Sequence, residues 1–191
     1  MYEVNYSKPA ERYFNRKVFM RMDYKQSNED KSKTSSTLEE VADFESRHVS
    51  ETEINDTVKR AADYFKNGLY CSQAVLGAFC EKYGLAKETA FRLSFGLNSG
   101  IRCAEACGAV TGAILVIGLK YGHSKEIGNT KTEEYIKHFK DKNSSIVCRS
   151  LLGCDISTPN GREKAIRENL FKTRCLGLVE NAAQALIDLG Y

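Results

Sequence analysis

The chain has 191 residues, with 28 Lys+Arg against 25 Asp+Glu, a net charge of +3, two prolines and seven cysteines. That length suits one compact domain with an added segment, and a charge so near balance, with no long basic run, argues against a nucleic-acid partner. The longest apolar run, residues 113–119, is too short to span a bilayer, and the first residues lack the charged-then-apolar order of a secretory signal, so the expectation is a cytoplasmic protein with no membrane partner.

Residues 1–50 differ from the rest. "DYKQSNEDKSKTSSTLEE" is polar and without apolar periodicity, and reads as a flexible linker. Ahead of it, Arg12–Met22 interleaves basic and aromatic residues and reads as a short arm docked on the domain surface or across a homodimer. The expected division is an N-terminal extension over 1–50 and a helical, cysteine-rich domain over 51–191.

From Ile54 the apolar spacing is helical. "INDTVKRAADYFKNG" sets Ile54, Val58, Ala61, Ala62 and Phe65 on one face and stops at Asn67-Gly68. "YCSQAVLGAFCEKYG" is a second helix stopped at Gly84, and "KETAFRLSFGLNSG" a third, shorter one. "CGAVTGAILVIGLKYG" is the most apolar and belongs at the centre, and "KTEEYIKHFKDKN" turns Tyr135, Ile136 and Phe139 inward. "IVCRSLLG", capped by Ser144-Ser145, precedes "REKAIRENLF" and a final helix, "RCLGLVENAAQALIDLG". No alternating strand pattern appears. The expected fold is all-α, a compact bundle of about seven or eight short helices.

In the central helix Gly108 and Gly112 lie at i and i+4, on one face. Each interior glycine costs roughly 1 kcal/mol of helix propensity against alanine. That cost implies a close approach, either by another backbone or by a bound inorganic group.

The cysteines carry the chemistry. Without a signal, an odd set of seven points to metal ligation or redox work rather than a secreted disulfide framework, although some are simple buried thiols. Cys80, in mid-helix beside Phe79, reads as core, and Cys154 as a loop thiol and second-tier ligand. Cys103 and Cys107 on one regular helix would hold their Cβ atoms about 5–6 Å apart, too far for a disulfide, which wants roughly 3.5–4.5 Å. The glycine loop upstream instead places Cys103 in irregular backbone and Cys107 at a helix entry. There the macrodipole and free N–H groups favour thiolate. Cys71, Cys148 and Cys175 take the same position at other helix starts. Four such thiols either converge on one site or are apolar filler that happens to fall there.

Common cysteine sites are absent: no CxxC, no CxxCH for haem, no glycine-rich phosphate loop and no nucleophile elbow. His48, His123 and His138 are isolated, and only His123 stands near the end of the central helix. Glu133-Glu134 read as surface charge on a solvated helix.

Cys71 in "YCSQAV", then "CGAVTG" at 107–112, Cys148 in "CRSLLG" and Cys175 in "CLGLVENAA" together resemble the redox-active family named C_GCAxxG_C_C, over residues 55–190. The resemblance makes Cys71, Cys107, Cys148 and Cys175 the four pattern cysteines of a small helical domain. Similar domains occur in split-Soret cytochromes, where such a set is associated with an iron–sulfur cluster. The extra Cys103 stands where family members are often glycine-rich, as a spare ligand, a resolving thiol or a bystander. What the resemblance implies is a redox protein holding an iron–sulfur cluster, most simply [2Fe–2S], through those four cysteines. Gly108 and Gly112 would leave room beside the cofactor, and electrons would pass to or from a partner oxidoreductase or electron-transfer protein. Two other readings stay open: cofactor-free thiol–disulfide chemistry, pairing Cys103 with Cys107 or Cys148 with Cys175, and a zinc-stabilised helical binding module.

Overall fold

The computed structural model describes the backbone of residues 51–191 and side chains from residue 56 onward. The linker and docked arm expected within 1–50 lie outside the described residues, as does His48. The described residues form eight α-helices: α1 (Glu51–Lys66), α2 (Cys71–Phe79), α3 (Lys87–Ser94), α4 (Gly108–Tyr121), α5 (Lys125–Asn143), α6 (Cys148–Leu152), α7 (Pro159–Arg167) and α8 (Arg174–Asp188). The only extended pairing among them is one isolated antiparallel bridge, Ala106 with Val147. The all-α expectation is borne out, and no helix of the described residues is long and apolar enough to cross a membrane.

Where helix bounds differ from the sequence pattern, local hydrogen bonds explain why. The second helix narrows to a 3-10 turn over Cys80–Tyr83 before Gly84 ends it, a usual tightening at a C-terminus. α5 starts at Lys125, ahead of the apolar periodicity, because the Ser124 hydroxyl caps it by accepting from the Ile127 N–H at 3.4 Å. α7 starts at Pro159 behind a Thr158 cap that accepts from the Gly161 N–H at 3.1 Å. It stops at Arg167, short of the expected Phe171, and Asn169 turns the chain with φ 56°. The expected Ser144-Ser145 cap splits in two. Ser144 closes α5 in a left-handed conformation, and the Ser145 hydroxyl accepts from the Val147 N–H at 3.0 Å, just ahead of α6.

α4 occupies the centre. Its Ala109, Val110, Ala113, Val116 and Ile117 are buried with Val75 and Leu76 of α2, and with Val179, Ala182 and Leu186 of α8. Tyr135 and Phe139 of α5 are fully buried, with stacked rings 6.2 Å apart. Each large aliphatic so buried contributes about 1.5–3 kcal/mol. Cys80 joins this core with no exposure. Gly112 sits where α4 meets α2: a Cβ there would lie 2.6 Å from the Ser72 carbonyl oxygen. The missing side chain is therefore explained by backbone against backbone.

A second, smaller cluster gathers Ala104, Cys148, Leu152, Ile156 and Ala165, with Cys154, Phe171 and Cys175 packed on it. The two clusters divide the cysteines of interest between them. Cys71 and Cys107 border the main core, Cys148 and Cys175 the smaller one, and one cavity opens at the seam.

Candidate functional site: four helix-start cysteines around one cavity

Four helix starts bring four thiols to that seam. Cys71 is the first residue of α2, Cys107 immediately precedes the first residue of α4, Cys148 is the first residue of α6, and Cys175 lies in the first turn of α8. All four line one cavity of about 640 Å³, and Gly108 lines it with them. The entry to α2 is fixed because the Tyr70 N–H donates to Gln73 Oε1 at 2.9 Å, the Gln73 amide donates to the Phe91 carbonyl, and the buried Ser72 hydroxyl donates to the Ser94 carbonyl at 2.7 Å. Cys107 and Cys148 are tied by the isolated bridge. The Cys107 N–H donates to Ile146 O at 2.8 Å and the Cys148 N–H to Glu105 O at 2.5 Å. That pairing makes the two cysteines diagonal neighbours, roughly 7–8 Å apart in a regular ladder. Arg149, next to Cys148, pairs with Glu105 across the bridge and with Asp155.

The loop before Cys107 is unusual backbone. Ser99, Ile101, Arg102 and Ala104 all have positive φ, 54° to 62°, and Gly100 lies among them at 64°. Left-handed backbone is uncommon for non-glycine residues and worst for a β-branched one such as isoleucine. Each such residue costs on the order of 1–3 kcal/mol and persists only where its surroundings impose it. Buried Asn98 is part of that frame: its amide donates to Phe95 O, while its Oδ1 accepts from the Ser99 hydroxyl at 2.9 Å and from Arg102 at 3.5 Å. One consequence is that the Ser99 N–H faces the Cys71 sulfur, together with the N–H groups of Ser72 and Ala109. The Ala109 and Val110 N–H groups, first-turn donors of α4 with no helical partner, face the Cys107 sulfur.

These donors favour thiolate, but burial outweighs them. Burial pushes the Cys107 thiol up to about 12, with the Cys71 charge adding to it, and pushes Cys148 to about 12 with contributions from Cys107, Cys71 and Cys154. Cys71 and Cys175 are raised for the same leading reason. The expectation of low-pKa thiols from helix position alone is thus corrected: without a bound cation the thiols keep their protons. The mutual effects also place the four sulfurs, with Cys154 beside them, within one electrostatic neighbourhood. A stability consequence follows. An unfolded thiol titrates near 8.5, so above that pH the folded protein retains protons that the unfolded chain has lost. Stability of the metal-free, reduced protein is full below pH ~8.5 and falls as pH rises toward 12, by up to about 1.4 kcal/mol per pH unit for each of Cys107 and Cys148. Urea unfolding at pH 8, 9 and 10 measures this, and a flat profile would contradict it.

The remaining sequence candidates lie elsewhere. Cys103 is exposed, its thiol turned to Gly100 O at 3.2 Å, and it does not line the cavity. Gly112 faces α2 instead of the cavity. His123 is exposed, and His138 bonds Asp188 at 3.1 Å. No three His, Cys, Asp or Glu side chains among the described residues stand close enough to hold a single metal ion; the thiols line a cavity and do not meet at a point. Asn98, Ser99 and Arg102 belong to the site but escape sequence reading, because nothing in "NSGIR" announces a run of left-handed backbone beyond its single glycine.

The chain matches no curated protein and no solved structure. Residues 69–189 match the family model described as "putative redox-active protein (C_GCAxxG_C_C)", a span that takes in all four cavity cysteines, and the chain belongs to that family.

Proposed function

We propose that the protein is a redox protein that holds an iron–sulfur cluster, most simply [2Fe–2S], through Cys71, Cys107, Cys148 and Cys175, and exchanges electrons with a partner oxidoreductase or electron-transfer protein of the cytoplasm. The carrying observation is that four cysteines from four helix starts line one cavity. An all-thiolate set of four completes such a cluster. A single tetrahedral zinc would need sulfurs about 3.8 Å apart, given its ~2.3 Å bonds, and the thiols are not gathered in that way. The group, when bound, would supply one-electron transfer. The chain's own part is to hold and shield it. The N–H groups of Ser99, Ser72, Ala109 and Val110 face the Cys71 and Cys107 sulfurs and offset negative charge there, and Gly108 leaves the Cys71 sulfur its place.

The thiol–disulfide alternative has less support. It needs thiolate near neutral pH, whereas burial raises all four thiols, and Cys103, the expected partner of Cys107, points to Gly100 O outside the cavity. Anaerobically purified protein is expected to be brown, with iron and acid-labile sulfide in comparable amounts. Colourless, iron-free protein after reconstitution would overturn the proposal, and stoichiometric zinc without iron would replace it with the zinc-stabilised reading.

A further inference from the structure

The cavity is larger than its cysteines require. At about 640 Å³ it falls in the range of roughly 300–1,000 Å³ that accommodates organic ligands of drug size, far beyond the few atoms of an inorganic cluster. Its charge is one-sided. Lys66, Arg102, Arg162 and Lys172 line it, and no Asp or Glu does, although the whole chain carries 25 acidic residues against 28 basic ones. The four cations come from four separate places: the end of α1, the left-handed loop, α7 and the segment ahead of α8. All four are exposed, and none forms an ion pair among the described residues. The carboxylates flanking Cys107 and Cys154 are not available to neutralise them, because Arg149 holds both Glu105 and Asp155. Backbone N–H groups already face the Cys71 and Cys107 sulfurs.

The same cavity wall is also apolar and aromatic, with Phe65, Leu69, Tyr70, Ile156 and Phe171. The Arg162 guanidinium lies 5.9 Å from the Phe171 ring centroid, over its face, which holds the charge beside a flat apolar surface. A cleft lined by one sign of charge focuses its field on an incoming counter-ion, and arginine suits carboxylate and phosphate groups through its planar fork.

We propose that this cavity binds a small organic anion, a flat apolar body bearing a carboxylate or phosphate, with the anionic group drawn to its basic lining, Arg162 and Lys172 among it, and the body against the aromatic wall. Binding of this anion does not depend on the iron–sulfur cluster proposed above. The probe is 8-anilinonaphthalene-1-sulfonate, an aromatic anion whose fluorescence rises in apolar surroundings, titrated into protein as isolated under anaerobic conditions. N-phenyl-1-naphthylamine, which lacks the sulfonate, is the neutral control, and iron content is measured on every sample. Saturable anionic-probe binding is expected, weakened at least tenfold in an Arg162→Gln/Lys172→Gln double variant and weakened by added salt, with neutral-probe binding and iron content unchanged. Equal affinity of the double variant and the parent protein for the anionic probe would overturn the inference, as would tighter binding of the neutral probe than of the anionic one by the parent protein. Charge-dependent binding in a protein that never takes up iron would uphold the cavity and sink the cluster.

Discussion

Serine substitution at Cys71, Cys107, Cys148 or Cys175, one at a time, is expected to strip most of the iron and sulfide from the anaerobically purified protein, while Cys103→Ser and Cys80→Ser keep the parent content. The loss at each of the four should be no smaller than the roughly 10–100-fold that removal of even an outer-shell partner costs a metal site. The six positions make a sharp test because their settings differ. The four line a single cavity, Cys103 is exposed with its thiol on Gly100 O, and Cys80 is sealed in the core with its thiol on Gly77 O at 3.5 Å. Cys154 adds a diagnostic case. Its charge acts on both Cys148 and Cys175, so partial iron retention in Cys148→Ser or Cys175→Ser, abolished by adding Cys154→Ser, would identify it as a substitute ligand. Iron loss in Cys103→Ser equal to that in Cys107→Ser would refute the assignment.

The four cysteines were legible because each precedes an apolar run, and a thiol at the start of a buried helix can be read from order alone. Their convergence was not. It depends on the Ala106–Val147 bridge and on hydrogen bonds from Ser72 and Gln73 to α3, all pairings distant in sequence. The protonation state is not legible for a related reason: a helix start is a local property, whereas burial comes from the whole fold, and burial is the leading cause at every one of the four thiols. The loop over 98–104 was the least legible part. Ile101 and Arg102 have no intrinsic preference for left-handed backbone, yet they adopt φ 55° and 62°, in a segment anchored by buried Asn98. That Lys66, Arg102, Arg162 and Lys172 line one cavity is likewise invisible in a sequence where basic residues look evenly scattered.

The glycines of α4 provide the second large expected effect, because one helix offers three different surroundings. At Gly118 a Cβ would meet nothing within 4 Å, so Gly118→Ala should stabilise the protein by about 1 kcal/mol, the helix-propensity gain alone. At Gly112 the same gain opposes a Cβ that would lie 2.6 Å from Ser72 O, 3.1 Å from its Cα and 3.2 Å from its carbonyl carbon. These are backbone atoms that no rotamer change can move, so the overpacking cost belongs at the upper end of the usual 1–3 kcal/mol. The net for Gly112→Ala is a destabilisation of about 1–2 kcal/mol by urea unfolding. Gly108 faces the Cys71 sulfur itself, with Leu97 O at 3.0 Å and Asn98 Cα at 3.2 Å from the would-be Cβ. Gly108→Ala must push aside a cavity thiol or the segment that anchors the left-handed loop. Its expected result combines a stability loss with a drop in iron content that Gly112→Ala does not show. Stability alone separates 118 from 112, and iron content is the measurement that singles out 108. If Gly108→Ala were destabilised yet kept its full iron, the close approach of Gly108 to Cys71 would be a packing contact only.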